Sequence, residues 1–362
     1  MTEMSPHPRP LYRSFGSDQD RFWERGERRL SARVFLLLTV ALALGLAGCA
    51  DRIGGDDPDE VSLALDWYPW ANHSPFFLAD ERGYFDEEDL DVDIHVPANP
   101  EDVLMLVGSG RDTFGISYQT SVLQARQEDI PVQSVAALVQ YPLNSIMTLE
   151  GSGLESPGDL AGMQIGYPGI PSNEALLETM LESEGLTLDD VELVNVGFNL
   201  VQALIAEQVD AIIGAYWVHE SILAENEGFP VNIMRVEDHE VPIYYELVLV
   251  ASDETIEDNP EMVERFIRAM QQGYLEAMDD FDAATDAMME EYPDTDRALE
   301  SDSIVMLAPL WTEGAEYFGQ QTTERWQDFA DWMIDGGLLD PDTHVDEAFT
   351  NEFVEAAIED DE

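Results

Sequence analysis

From Val61 onward the chain alternates between two hydrophobic patterns. Short runs place apolar residues at every second position or continuously, whereas longer runs repeat them every third or fourth. The first spacing suits a strand and the second an amphipathic helix. Residues 61–67 (VSLALDW), 91–97 (DVDIHVP), 113–119 and 132–139 therefore read as strands, with helices over 75–85, 101–110 and 121–128 between them. The cycle restarts at 163–169 and runs through a helix at 173–186, a strand at 191–196, a helix at 199–208 and strands at 210–216 and 230–236. After residues 241–252 the pattern turns helical, over 260–280, 322–337 and the last residues. Such alternation predicts α/β layers with mostly parallel strands, and the length exceeds one ordinary core. The expected organisation is two α/β lobes: 61–155 as the first part of lobe 1, 156–240 as lobe 2, and 241–362 returning to lobe 1 with the C-terminal helices.

The first sixty residues follow other rules. Val34–Ala47 is an apolar run preceded by Arg28, Arg29 and Arg33. It is short of the roughly 20 residues a membrane-spanning helix needs, and it has the form of an export signal. Leu46-Ala47-Gly48-Cys49 resembles a bacterial lipobox. Residues 1–48 are thus expected to be a signal peptide, Cys49 a lipid-anchored N-terminus, and 49–60 an acidic tether. The arginine pair points to twin-arginine export, with the general secretory route as the alternative. Either route predicts a protein anchored on the outer face of the cytoplasmic membrane. Cys49 is the only cysteine, so an intrachain disulfide and a cysteine metal cluster are both excluded.

Charge sharpens this picture. Seventy-six acidic residues face 16 basic ones, all arginine, for a formal net charge of −60. That excess opposes nucleic-acid binding, which needs cations against phosphates. Disorder is the usual alternative for an acidic chain, but 45% hydrophobic residues with seven Trp, 12 Tyr and 15 Phe argue for a packed core. Self-repulsion of this size is tolerable where salt screens it, which points to a halophilic setting.

Candidate chemistry lies where strands end, since ligands of open α/β sheets sit beyond the carboxyl ends. Trp67, Tyr118, Tyr141, Tyr216 and Trp217 all follow strand candidates, and aromatics so placed suit stacking on a planar heterocycle; filling the core or lobe interface is their alternative role. Asn72 and His73 lie on a proline-bounded loop and offer hydrogen bonds of either sense. Pro168 and Gly169 precede a helix that Ser172 or Asn173 would cap. Glu174 and Glu246 are the carboxylates nearest these blocks. No arginine stands among these candidate residues, which disfavours an oxyanion ligand. No metal site and no cofactor is expected.

Four of these blocks, 65–92 with its L-x-W-x5-H and G-Y-F, 166–175, 209–220 and 244–256, resemble in order the thiamine-pyrimidine-precursor family, and its ThiY-type binding branch in particular. The resemblance implies a type II periplasmic-binding-protein bilobe, a monomer that binds an aminopyrimidine between its lobes and delivers it to an ABC permease with its ATPase subunit. The same fold binding a sulfonate or another aromatic solute remains open. Synthases of the family use pyridoxal bound to a lysine, but their lysine and donor histidine align near Ser117 and Ser121, and their cysteine-rich segment aligns with Gly214–Val218. With no lysine in the chain, a Schiff base cannot form.

Overall fold

A computed structural model describes residues 58–99, 102–197 and 199–359. The expected signal peptide, Cys49 and most of the expected tether lie outside them. Ten strands form two five-stranded sheets. The first sheet holds β1 (Asp59–Ala64), β2 (Leu90–His95), β3 (Phe114–Ser117), β4 (Val132–Val139) and β10 (Leu247–Ser252) in the order β2-β1-β3-β10-β4. The second holds β5 (Asn144–Leu149), β6 (Gln164–Tyr167), β7 (Glu192–Asn195), β8 (Ala211–Tyr216) and β9 (Val231–Arg235) in the order β7-β6-β8-β5-β9.

Both sheets share one plan. Three strands run parallel, joined by helical crossovers. The first strand after each crossing between the lobes then inserts antiparallel: β10 between β3 and β4, and β5 between β8 and β9. The sheets are therefore mixed, but four of the five strands in each run the same way, as the mostly parallel expectation has it, and only the inserted strand is reversed. β5 is the main difference from the sequence reading. It starts at Asn144 in the second sheet, so the chain crosses between lobes at 140–143, ahead of the expected boundary at 155. The return crossing occupies 236–246. At the other end, β1 begins at Asp59, two residues inside the expected tether, because parallel pairing of Asp59 with Leu90 extends it.

Local sequence explains most elements. The Ser74–Arg82 helix has Pro75 in its first turn and stops at Gly83, whose left-handed φ of 79° a side chain would oppose. The Pro260–Asp279 helix buries Val263, Phe266, Ile267, Met270, Tyr274 and Ala277, one stripe at helical spacing. It lies so close to the Ser74–Arg82 helix that a Cβ on Gly273 would stand 2.4 Å from the Pro75 carbonyl oxygen. Phe266 stacks between Phe114 and Phe85, with centroids 4.1 and 5.2 Å away. The Thr323–Asp335 helix does more than return to the first lobe. Trp326, Phe329 and Met333 share one buried cluster with Val103 of the first lobe and with Leu176 and Met180 of the second. Trp332 Nε1 also donates to Thr179 Oγ1 at 3.2 Å. Among the described residues no helix is long and apolar enough to cross a membrane.

Candidate functional site

The chain leaves β1 three residues before its apolar pattern ends, and Leu65–Trp70 becomes a loop at the carboxyl edge of the first sheet. Asp66 turns inward there and is 2% exposed. Its two oxygens are shared out: Oδ1 faces His73 Nε2 at 2.8 Å, and Oδ2 accepts from the Tyr118 hydroxyl at 2.9 Å. The Trp70 N–H points at His73 Nδ1, 3.4 Å away. A backbone N–H can only donate, so Nδ1 accepts and Nε2 carries the proton given to Asp66. Both ring nitrogens of His73 are thus committed within the protein. Asn72 lies beside this pair, its Nδ2 3.3 Å from His73 Nε2, and its buried Oδ1 has no protein partner.

The second lobe supplies the facing groups. Tyr216 closes β8, and its ring lies 5.8 Å from that of Trp70, so the lobes touch here. Its hydroxyl donates to Glu246 Oε1 at 2.9 Å. Glu246 is saturated: Oε1 also accepts from Asn144 Nδ2, and Oε2 from the Leu143 N–H and the Tyr244 hydroxyl, all within 3.0 Å. Leu143 belongs to the outward crossing and Glu246 to the return, so one carboxylate binds the two together. Burial pushes Glu246 above the usual carboxylate range, although these donors pull the other way. Asn144 Oδ1 in turn accepts from Asn173 Nδ2 at 3.1 Å, and Asn173 Oδ1 is buried without a protein partner. Burial and then the nearby carboxylates hold the phenols of Tyr118, Tyr216 and Tyr244 well above 10; at Tyr118 the Tyr216 hydroxyl acts in the opposite sense.

The sequence candidates thus separate. Asn72, His73, Tyr118, Tyr216 and Glu246 belong to one buried polar network. Trp67 is half-buried against the first lobe's core. Tyr141 and Trp217 line the crossings: Arg325 lies over the Tyr141 ring at 5.5 Å and Arg235 over the Trp217 ring at 4.2 Å, while Trp217 Nε1 donates to the Pro142 carbonyl. Pro168 packs where a side chain on Gly214 would sit, and a Cβ on Gly169 would lie 2.5 Å from Asn195. Glu174 pairs with the Tyr167 hydroxyl on its own lobe. The expected cap at Ser172 or Asn173 is absent: Ile170 occupies that position, and Asn173 turns to Asn144.

Sequence reasoning missed Asp66, Asn144, Tyr244 and the cap-free role of Asn173. Trp70 is a further addition, since its ring meets Tyr216 and His219. One signal was available for Asp66: an acid directly after a strand, seven residues before a histidine that a short turn brings back. Among the described residues no cluster of three or more His, Cys, Asp or Glu could hold a metal ion.

Comparison with known proteins shows the family and the fold. The family described as NMT1/THI5 like matches residues 70–284. A formylaminopyrimidine-binding protein of Halalkalibacterium halodurans is 36% identical over 324 residues, 88% of this chain and 98% of the relative. A 4-amino-5-hydroxymethyl-2-methylpyrimidine phosphate synthase of Saccharomyces cerevisiae is 31% identical over 222 residues, 59% of this chain and 65% of that enzyme. Among solved structures, the alkanesulfonate-binding protein SsuA of Xanthomonas axonopodis pv. citri, bound to MOPS, aligns with a TM-score of 0.63 at 15% identity, over 81% of this chain and 99% of that one. That last likeness is one of fold, the type II periplasmic-binding-protein bilobe with two mixed five-stranded lobes.

Proposed function

The chain belongs to the NMT1/THI5-like family, and from that premise we propose that it is a solute-binding protein, which captures a thiamine-related aminopyrimidine between its lobes. The observation that carries this reading is the pair of buried amides, Asn72 in the first lobe and Asn173 in the second. Each keeps a carbonyl oxygen with no protein partner, at the edge of the buried network. A buried polar atom without a partner costs about 1–3 kcal/mol, and a ligand N–H on either side would recover that cost. The aromatic rings of Trp67, Tyr118 and Tyr216 supply stacking surface for a flat heterocycle.

Each residue then has a defined part. Trp67, Tyr118 and Tyr216 stack, Asn72 and Asn173 accept hydrogen bonds, and His73 and Glu246 act through others. His73 fixes Asp66 and thereby Tyr118. Glu246 fixes Tyr216 and the two crossings. Tyr141, Trp217, Pro168, Gly169 and Glu174 shape the walls. No bond is made or broken. The absence of lysine from the whole sequence supports a binder and opposes a pyridoxal-dependent synthase, and Ser117 stands where the resemblance puts that lysine. In the same reading Cys49 carries a lipid, the protein works as a monomer outside the cytoplasmic membrane, and an ABC permease with its ATPase receives the ligand.

A sulfonate ligand is the second reading, supported by fold likeness to SsuA. It is opposed by the composition of the network, which contains no arginine. Calorimetric titration of the lipid-free protein in molar KCl separates the two. Binding of formylaminopyrimidine, weakened at least about tenfold by Trp67→Ala, is the expected outcome. Heat from taurine with none from any pyrimidine would overturn the ligand assignment.

A further inference from the structure

His219 follows β8 in the second lobe, and its imidazole is held between two carboxylates. Nδ1 faces Glu220 Oε1 at 3.3 Å and Nε2 faces Glu300 Oε1 at 3.5 Å. Glu300 is 3% exposed and sits on the Arg297–Leu307 helix, which packs against the Ala71–His73 turn of the first lobe. Each carboxylate is anchored in its own lobe by its other oxygen. Glu300 Oε2 accepts from the Ala71 N–H at 2.7 Å, and Glu220 Oε2 accepts from the Tyr216 N–H at 2.9 Å. The Trp70 ring covers the imidazole edge-on, centroids 5.2 Å apart, with Tyr216 beside it and the His73–Asp66 pair behind.

Geometry sets the protonation state. A neutral imidazole carries one N–H, and carboxylates facing both nitrogens, at 3.3 and 3.5 Å, favour the doubly protonated ring. From this arrangement we infer that His219 and Glu300 form an ion-pair latch across the cleft, closed by a proton that His219 holds more tightly while the lobes are together. The inference rests on the reading that this cleft opens and closes around a ligand. Opening removes Glu300 from His219 and leaves Glu220 as its only partner.

The direction of the effect follows from linkage. Burial disfavours the imidazolium, but Glu220 and Glu300 outweigh it and push His219 up from 6.5 to about 10. A group with a raised value in one state stabilises that state fully below its ordinary value and loses the contribution as pH climbs through the raised one. Closure is therefore strongest at neutral pH and weakens toward pH 10. The phenols of Tyr118 and Tyr216 lie well above 10 and stay protonated across that range.

The test uses the lipid-free chain with Cys49→Ser, carrying spin labels on cysteines placed at Met105 and Phe229. These are exposed positions, one in each lobe. Interlobe distances are measured without ligand at constant molar KCl between pH 7 and pH 10, alongside the affinity for formylaminopyrimidine. The wild-type closed-to-open ratio is expected to fall at least about tenfold over this range, since each pKa unit of Glu300 attraction is a factor of about ten. Glu300→Gln keeps the acceptor for Ala71 and should flatten the profile, and His219→Gln should do the same. A Glu300→Gln profile that superimposes on a steep wild-type one, or a flat wild-type profile, overturns the latch. A failure of every pyrimidine to bind counts against the ligand reading alone, because the ligand-free distances still decide the latch.

Discussion

At the scale of single residues, the site is governed by who already has a partner. Asp66 accepts from one donor on each oxygen, so Asp66→Ala strands both the His73 Nε2 proton and the Tyr118 hydroxyl. Chemical denaturation should register a loss of about 2–3 kcal/mol, and calorimetry a larger proportional loss of pyrimidine affinity than Trp67→Ala causes. Asp66→Asn offers one acceptor in place of two and should fall between wild type and Asp66→Ala. Of the site itself, the sequence made the aromatics legible, because they follow strands, and Asn72-His73, because the loop is bracketed by prolines. It hid Asp66 and Glu300 for a reason of composition: among 76 acids, no single carboxylate stands out until burial is known. It also named Glu246 as a candidate, with no hint that four protein donors occupy it. Saturation is a property of the folded neighbourhood, and spacing along the chain does not encode it.

Elements were read well where apolar residues alternate or run on, and poorly where buried polar residues break both patterns. β2 alternates and the Pro260–Asp279 helix carries a single stripe, so their periods are visible. β5 is buried on both faces along its first five residues yet starts with Asn144 and Ser145, so it shows neither alternation nor a continuous apolar run. Missing it misplaced the first crossing. The Phe281–Glu291 and Arg297–Leu307 helices escaped for another reason. Asp280 and Asp296 cap them, accepting from Ala283 and from Ala298 and Leu299, but a capping aspartate is inconspicuous in so acidic a chain. Close packing yields its own prediction. Gly273→Val would drive a side chain into the Pro75 carbonyl, and overpacking of this kind costs about 1–3 kcal/mol. Thermal unfolding should show a lowered midpoint with little change in ligand affinity, since the contact lies between two helices of one lobe.

For the whole molecule, charge dominates. With a formal net charge of −60, the folded chain repels itself in dilute buffer. The screening length is about 3 Å at 1 M salt and about 10 Å at 0.1 M. Lowering KCl from molar to 0.1 M should therefore reduce the melting temperature, and glycerol or sucrose should restore it only in part. An unchanged midpoint across that range would show that the charges are already balanced by local pairing. The ion pairs of Arg268 with Glu88 and Glu264, and of Arg126 with Asp253, are of that local kind, but nine arginines beyond residue 48 are too few to match the acids.

The carboxylate that joins the two crossings has a mechanical meaning. Two strands of chain running side by side would let the lobes swing, shear and twist. Fastened to each other by Glu246 through the Leu143 N–H, they would act as one pin, and a pin favours a single axis of rotation. Jaws that move about one axis measure the thickness of what lies between them far more sharply than its outline. Such a protein would sort solutes as a calliper does, admitting flat rings of varied substitution and refusing anything with a puckered or tetrahedral middle.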